Sequence, residues 1–185
     1  MAADATKVRV AVTGAIFKGP TTATAPTGTS GSPDAAFNDL GFIGEDGVEI
    51  SLPGSGDSTP VKAWQNGTTV RVIRSPSEDS PTWVFRMLET TKATVEEYFG
   101  VTVTQTATEG SFEYSVTNRT HGSYIVDTID GAELSRDYIP HGIVTEVEAI
   151  TLANGEAIGY GVTVAGERDP ELGYNFKRWA TALKS

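Results

Sequence analysis

Phe37–Val48 (FNDLGFIGEDGV), Lys62–Ile73 (KAWQNGTTVRVI) and Trp83–Gly100 (WVFRMLETTKATVEEYFG) decide the fold. The first two combine β-branched and aromatic residues with the turn pairs Asp46-Gly47 and Asn66-Gly67, a pattern that predicts short strands joined by tight turns. The third begins as a strand and runs into a helix. No catalytic or metal-binding cluster lies among them, so the order of the elements carries the information.

One short helix is predicted at the end of the third stretch. Thr91 can cap its N-terminus, Lys92–Phe99 form its body, and Gly100 can end it in the left-handed conformation that glycine allows. A helix of two turns is unstable alone, so packing against a sheet must hold it. The spacing directs Leu88, Val95, Tyr98 and Phe99 toward that sheet and Glu96 and Glu97 toward solvent.

Alternating segments elsewhere predict further antiparallel strands. We expect Lys7–Phe17 to be the first strand, and Val101–Thr106 to be a strand with valines facing the core and threonines facing solvent or a lumen. Two more turn pairs predict hairpins. They are Asp130-Gly131, between Tyr124–Ile129 and Ala132–Ile139, and Asn154-Gly155, between Ile143–Leu152 and Ala157–Val164.

The length fits a single domain, residues 1–185, with appended loops. Residues 18–36 are rich in Pro, Gly, Thr and Ser and bury too little apolar surface to offset their ordering entropy, so we expect a flexible arm that can order against a neighbouring subunit. Residues 51–60 and 75–81 are expected to be loops. Residues 168–185 carry basic and aromatic side chains, and form either a terminal strand or helix packed on its own domain or an arm docked on an acidic neighbour.

Composition restricts the possible partners and compartments. The chain has 24 acidic and 14 basic residues and a net charge of -10, which disfavours tight binding to DNA phosphates. It has no cysteine, hence no disulfide and no thiolate metal site. No apolar run approaches the roughly 18 residues that a membrane span needs. The amino terminus has no leader-like pattern, so we expect the product to stay in the cytoplasm where it is made.

Groups that could support catalysis or bind a metal are scattered along the sequence. His121 and His141 are the only histidines, both in turn-like segments, and no third ligand follows at a spacing typical of metal sites. The glycine-rich run at residues 54–57 lacks the lysine of a phosphate loop. No Gly-x-Ser-x-Gly elbow supports a serine nucleophile. We therefore predict no enzyme activity, no metal and no cofactor.

The three quoted stretches, above all Asp39–Gly47, resemble the major tail tube protein of long-tailed, non-contractile (siphovirus-type) bacteriophages, especially those that infect actinobacteria. The resemblance implies a mainly β fold: an antiparallel β-sandwich or partly closed barrel with one short flanking α-helix and long extended loops. It implies hexameric rings that stack into a tube, through which DNA passes into the host without specific binding. The partners would be copies of the chain itself and the tape-measure, tail-tip and tail-terminator proteins, with no membrane, in a virion tail assembled in the host cytoplasm.

The resemblance directs attention to surfaces instead of an active site. A ring needs an interface whose rotation closes, and unpaired sheet edges can join between subunits. The hydrophilic faces of the alternating strands are expected to line an acidic lumen to which DNA does not adhere: Thr102, Thr104, Thr106, Glu146 and Glu148. Subunit contacts are expected at Lys18, Phe37, Leu52, Trp64, Phe176, Arg178 and Trp179.

Two alternatives remain open at this point. A tube subunit of a related secretion or contractile injection system would have the same fold and a different cargo. A soluble carbohydrate-binding β-sandwich would use an exposed aromatic platform built from Trp64, Trp83 or Trp179.

Overall fold

The structure is a computed structural model that describes residues 3–75, 77, 79–116 and 118–184. Pro76 and Glu78, in the predicted loop 75–81, lie outside the described residues, as do both ends of the predicted domain 1–185. The strands are β1 Thr13–Gly19, β2 Asn38–Asp39, β3 Ile43–Ser51, β4 Ser58–Lys62, β5 Thr69–Arg74, β6 Thr82–Met87, β7 Thr104–Gln105, β8 Gly110–Ser111, β9 Gly122–Asp130, β10 Glu133–Val147, β11 Tyr160–Gly166 and β12 Lys177–Ala180. The α-helix is α1, Lys92–Phe99, and 3₁₀ turns lie at Ala5–Lys7 and Thr181–Leu183.

Eight of these strands form one antiparallel sheet. Seven of them follow the order β2-β1-β9-β10-β11-β6-β3, and the eighth is β12. The long strand β10 also pairs with β12 through residues 135–138, before it pairs with β11 through residues 142–147. Two small ribbons, β4-β5 and β7-β8, complete the set. The prediction of a mainly β, antiparallel, sandwich-like fold with one short helix is confirmed, and the described strands do not close into a barrel.

The β1-β9-β10 half of the sheet has side chains packed against both of its faces. Alternate residues of β9 and β10 face opposite ways, so that Tyr124 and Ile139 join the main core while Ile125 and Tyr138 join a second cluster. Ala23 and Ala25 of the segment before β2 pack on that second cluster. The β1-β9-β10 half is therefore buried on both faces, which explains why residues 122–126 are all buried.

The predicted helix is confirmed at both ends. The Thr91 Oγ1 accepts a hydrogen bond from the Thr94 amide at 3.3 Å, and Gly100 ends the helix with φ of 67°. Arg119 donates to the carbonyls of Glu97 and Tyr98 at 2.8 and 2.5 Å, which satisfies two of the last carbonyls of α1.

The prediction that Glu97 faces solvent was wrong. Its side chain is 1% exposed, accepts a hydrogen bond from the Tyr124 hydroxyl at 2.5 Å and forms an ion pair with Lys18. Lys18 lies on β1 and Tyr124 on β9, so both partners come from strands distant in sequence. Glu96 is half-buried and accepts from the Val103 amide at 2.8 Å.

Two of the strands predicted from the sequence have different bounds in the structure. The first strand begins at Thr13, and Val8, Val10 and Val12 lie before it with exposed side chains. In the segment predicted as Val101–Thr106, pairing is limited to Thr104–Gln105, in the small ribbon with β8. Alternation favours a strand in both places, but it does not determine where a ladder partner lies.

The four turn pairs have three different outcomes. Asp130 pairs with Glu133 around a two-residue turn, so the predicted β9-β10 hairpin is confirmed. Asn66-Gly67 lies in the turn of the β4-β5 ribbon, and Asn154-Gly155 lies in the longer loop between β10 and β11. Asp46-Gly47 lies inside β3, where the register with β6 shifts between Ile43 and Val48. The last pair therefore marks a bulge.

The carboxyl-terminal residues pack on their own sheet. Trp179 and the basic residues Lys177 and Arg178 lie on a strand, because residues 177–180 pair with β10. This is the first of the two alternatives that the sequence left open for residues 168–185.

Candidate assembly surfaces

The β4-β5 ribbon projects from the rest of the structure. Its two strands pair with each other, and all of their residues are exposed. Apolar side chains lie on both faces of the ribbon and at its turn, where Trp64 is 95% exposed. The others are Val61, Val70, Val72 and Ile73. An isolated two-stranded ribbon is marginally stable in water, so the concentration of exposed apolar side chains on this ribbon indicates a partner.

The sequence builds this ribbon with local signals and closes it at its base. The Asn66 Oδ1 accepts from the Thr68 amide at 3.1 Å, which forms the Asx turn at the tip. At the base, the Ser75 amide donates to the Asp57 carbonyl at 3.0 Å. The two ends of the ribbon therefore meet, and the ribbon is an appendage to the sheet and not part of its core.

Charge separates the ribbon from the rest of the chain. Lys62, Arg71 and Arg74 give residues 58–74 a charge of +3, since the segment has no acidic residue. The whole chain carries -10, so the remainder carries -10 - 3 = -13. The ribbon is thus basic and apolar, and it is attached to a strongly acidic body.

The half of the sheet formed by β10, β11, β6 and β3 has an acidic face. The register aligns one row across four strands: Glu146 opposite Thr163, Thr163 opposite Val84, and Val84 opposite Glu49. The neighbouring residues Val162, Val164, Trp83 and Phe85 point to the core, so the row lies on the other face. Glu148 follows on the same face as Glu146, because its amide donates to the carbonyl of Gly161 at 2.9 Å.

The predicted lumen residues are divided between two places. Glu146 and Glu148 share the acidic face, as their spacing predicted, and sequence reasoning missed Glu49, which only the strand register brings into line with Glu146. Thr102, Thr104 and Thr106 are exposed near the β7-β8 ribbon, away from the main ladder. The hydroxyl of Thr106 accepts a hydrogen bond from the Glu109 amide at 3.1 Å and so stabilises the turn of that ribbon.

Five of the predicted contact residues already have partners within the chain. Lys18 pairs with Glu97, Phe37 is buried in the second cluster, and Phe176 packs edge-on against Trp83 with ring centroids 5.2 Å apart. Arg178 pairs with Asp137 at 2.5 Å, and Trp179 packs against the second cluster with Lys177 over its ring. The other two, Leu52 and Trp64, are exposed.

Residues 20–36 lie over the second face of the sheet, held by a buried ion pair. Arg136 on β10 forms a bidentate pair with Asp127 on β9, at 2.7 and 2.6 Å. The same guanidinium donates to the carbonyls of Gly28 and Gly31 at 3.3 and 3.1 Å. The hydrogen bonds to Asp127 raise the pKa of Arg136 above its usual value. The predicted arm 18–36 therefore has a docking site on its own subunit.

The described residues contain one group of side chains that could hold a metal ion: His121, His141 and Glu167. None of the described helices is long and apolar enough to span a bilayer. Of the three tryptophans considered for a carbohydrate platform, Trp83 is fully buried and Trp179 is packed against its own sheet, so Trp64 alone of the three is exposed.

Comparison with known proteins assigns this arrangement to a family. The family model described as "Phage tail tube protein" matches residues 1–172. No curated protein matches the chain. Members of this family are structural proteins of the virion tail and not enzymes, and they assemble into a tube with copies of themselves and with other tail proteins. The chain belongs to the phage tail tube protein family.

Proposed function

We propose that copies of this chain form closed rings, six to a ring, that stack into a hollow tube with the acidic face of β3, β6, β11 and β10 lining the bore. The row from Glu49 to Glu146 is the observation that carries this proposal. The register also places Arg86 on this face, opposite Gly161, so its three carboxylates outnumber that cation. Phage DNA is itself strongly anionic, so such a wall lets it pass toward the host without adhering. Thr102, Thr104 and Thr106 contribute to the bore only if the β7-β8 ribbon also turns inward.

The β4-β5 ribbon is the contact between successive rings in this proposal. It carries apolar side chains that lack a covering element in the described part of the chain, and its charge of +3 faces a body of -13 on every neighbour. Complementary charge speeds encounter and selects orientation, while buried aromatic anchors such as Trp64 supply the affinity.

Contacts within a ring are proposed at the edge of the sheet. β3 is the last strand at that edge, and Leu52 follows it with an exposed side chain. An exposed strand edge invites pairing with another chain, and pairing between subunits would continue the ladder from one copy to the next. Such a tube would be assembled on a tape-measure protein and closed by tail-tip and tail-terminator proteins. The family match is to phages, which favours a phage tail over a related injection system.

The orientation of the acidic face can be tested with DNA. Tubes of the wild-type protein and of a variant with Glu49→Lys, Glu146→Lys and Glu148→Lys are mixed with short duplex DNA at low salt and then treated with DNase. We expect the wild-type tubes to retain no DNA and the variant tubes to retain DNA that is protected from digestion. Retained DNA that is fully digested would place this face on the outside of the tube and overturn the proposal. A variant with the same sites changed to Gln controls for loss of charge without reversal.

A further inference from the structure

His121, His141 and Glu167 meet where the start of β9 and the end of β11 flank an interior position of β10. The two imidazole rings are stacked, with centroids 3.8 Å apart and planes 12° from parallel. His121 Nε2 lies 2.9 Å from Glu167 Oε2, and His141 Nδ1 lies 3.9 Å from the same oxygen. One ligand atom from each of the three residues lies within 4.8 Å of the others. These are the only two histidines of the chain.

The strand register explains why residues so far apart in sequence converge. Gly142 on β10 is opposite Gly122 on β9 and also opposite Gly166 on β11, so three glycines form a row across the sheet. A Cβ at Gly142 would lie 2.6 Å from the Tyr124 ring, and one at Gly166 would lie 2.8 Å from the Trp83 ring. Side chains larger than hydrogen cannot fit there because the core is close-packed.

The ligand candidates are the residues next to these glycines. His121 precedes Gly122, His141 precedes Gly142 and Glu167 follows Gly166. The Glu167 amide donates to the His141 carbonyl at 2.9 Å, which fixes these two residues opposite each other. The register of β10 against β9 shifts between Ile139 and Gly142, and this bulge lies at His141. Bulges redirect side chains, so the bulge provides the local means of aiming His141 at the cluster.

The residues around the cluster leave its ligand atoms available to bind a metal ion. His141 Nδ1 is buried and has no hydrogen-bond partner among the described residues. Two basic side chains from adjoining segments are engaged elsewhere: Lys18 on β1 pairs with Glu97, and Arg168, next to Glu167 in sequence, donates to the Gly173 carbonyl at 3.0 Å. An unsatisfied buried nitrogen is costly, and a metal ion would satisfy it.

We propose that His121, His141 and Glu167 bind one divalent transition-metal ion, of the class that Zn²⁺ represents. Two imidazoles and one carboxylate are a ligand set of such ions, with water in the remaining position. Ligands at about 2.0–2.1 Å in a tetrahedron lie about 3.3 Å apart, which falls between the 2.9 and 3.9 Å that separate the two imidazole nitrogens from Glu167 Oε2. Coordination requires the stacked rings to fan slightly apart so that each lone pair points at the ion. The bound ion would tie the start of β9 and the end of β11 to the interior of β10.

The test is Zn²⁺ binding to untagged protein, since a histidine tag would supply competing imidazoles. Calorimetric titration of the wild type should give one ion per chain. Free Zn²⁺ about 100-fold above the dissociation constant should raise the Tm by roughly 5–10 °C. His121→Asn and Glu167→Gln should each weaken binding at least about tenfold and reduce the Tm rise accordingly. Glu171→Gln is the matched control, because Glu171 is an exposed carboxylate in the loop after β11, outside the cluster.

Three results would overturn the proposal. One is a wild-type protein that shows neither heat of binding nor a shift in Tm. Another is equal affinity in wild type, His121→Asn and Glu167→Gln, which would assign the binding to scattered surface carboxylates. The third is one ion per two chains with a doubled mass in light scattering, which would place the ion between molecules. Circular dichroism of each variant without metal establishes that it is folded, and Glu167→Gln keeps the size and exposure of the side chain if a histidine variant fails.

Discussion

Arg136 shows how one side chain can hold two layers of this protein together. Its guanidinium is almost fully buried, pairs with Asp127 on the neighbouring strand and donates to two carbonyls of the segment before β2. A buried arginine is tolerated only when its donors are satisfied, and here a carboxylate and two carbonyls satisfy them. The residue therefore links the stability of the sheet to the position of residues 20–36.

Replacing Arg136 with Met should cost about 3–5 kcal/mol of unfolding free energy, because Asp127 is left buried without its partner. The segment that contains Gly28 and Gly31 should also become accessible to proteases in the folded protein. Urea unfolding and limited proteolysis measure the two effects. Arg71→Met, on the exposed ribbon, is the control and should change stability by less than about 0.5 kcal/mol. Unchanged proteolysis of residues 20–36 in Arg136→Met would show that other contacts hold this segment.

Tyr124 predicts how stability changes at high pH. Burial, and then the neighbouring Glu97 carboxylate, raise the pKa of Tyr124 well above its ordinary value of 10.0. The unfolded chain loses this proton near pH 10 and the folded chain retains it, so the contribution is fully present below that pH and is lost as pH rises above it. The slope from one such group is at most about 1.4 kcal/mol per pH unit.

Tyr124→Phe should therefore flatten the alkaline fall in stability. Urea midpoints measured at about pH 9 and about pH 11 give the slope for each protein. The variant should be less stable at the lower pH, because Glu97 loses a hydrogen bond worth about 1–3 kcal/mol. Equal slopes in the two proteins would mean that Tyr124 titrates normally in the folded state.

At the scale of elements, the β4-β5 ribbon is the part of the chain that is built for contact. It has its own turn, and its two ends meet at Asp57 and Ser75. Among the described strands, β4 pairs only with β5 and β5 only with β4. An element that adds nothing to the core but exposes apolar residues is explained by contact with another molecule. The sheet should therefore fold and keep its stability without the ribbon.

Replacing residues 58–74 with Gly-Gly should leave a folded monomer that does not elongate. The Tm should change little, since the excised residues other than the half-buried Ala63 are exposed and the chain ends already lie side by side. Trp64→Ser should also weaken the elongation of tubes. Its control is Leu152→Ser, since Leu152 is another exposed apolar residue. Scanning calorimetry and negative-stain microscopy make the two measurements. Normal tubes from the excised protein would eliminate the ribbon as the ring contact.

Elements with local signals could be predicted from the sequence, and long-range ones could not. Thr91 and Gly100 delimit α1 through contacts within a few residues, so they are visible in the sequence. Glu97 looked like a solvent-facing residue because its partners, Lys18 and Tyr124, are brought to it by two other strands. Asp46-Gly47 has the composition of a hairpin turn, and only the pairing of β3 with β6 makes it a bulge.

The candidate sites divide in the same way. Glu146 and Glu148 could be placed on one face from their spacing alone, since side chains alternate along a strand. Glu49 joins them only through the register of four strands, and His121, His141 and Glu167 meet only because the start of β9 and the end of β11 flank the same position of β10. A single segment of sequence does not determine the order of the strands. Sequence reasoning therefore missed that Glu49 joins the acidic face and that the two histidines meet Glu167.

For the whole molecule, uneven charge is the property that connects structure to assembly. A ribbon of +3 on a body of -13 attracts other copies while the bodies repel one another. The attraction between ribbon and body is screened over about 8–10 Å at physiological salt. The apolar contacts are not screened.

Assembly should therefore start faster at low salt, while finished tubes should persist at high salt. Light scattering at low and high ionic strength measures the initial rate. The variant Arg71→Gln with Arg74→Gln reduces the charge of the ribbon from +3 to +1, so its initial rate should depend less on salt, and it should still form tubes. An initial rate that rises with salt in the wild type would mean that repulsion between the bodies controls assembly.

The central claim is that the face bearing Glu49, Glu146 and Glu148 lines the bore while the β4-β5 ribbon contacts the next ring. Cryo-electron microscopy of the assembled tube tests it most directly. The account predicts a map in which these three carboxylates face the central channel and Trp64 is buried against a subunit of the adjacent ring. A map in which the three carboxylates point outward, or in which Trp64 stays in solvent, would contradict it.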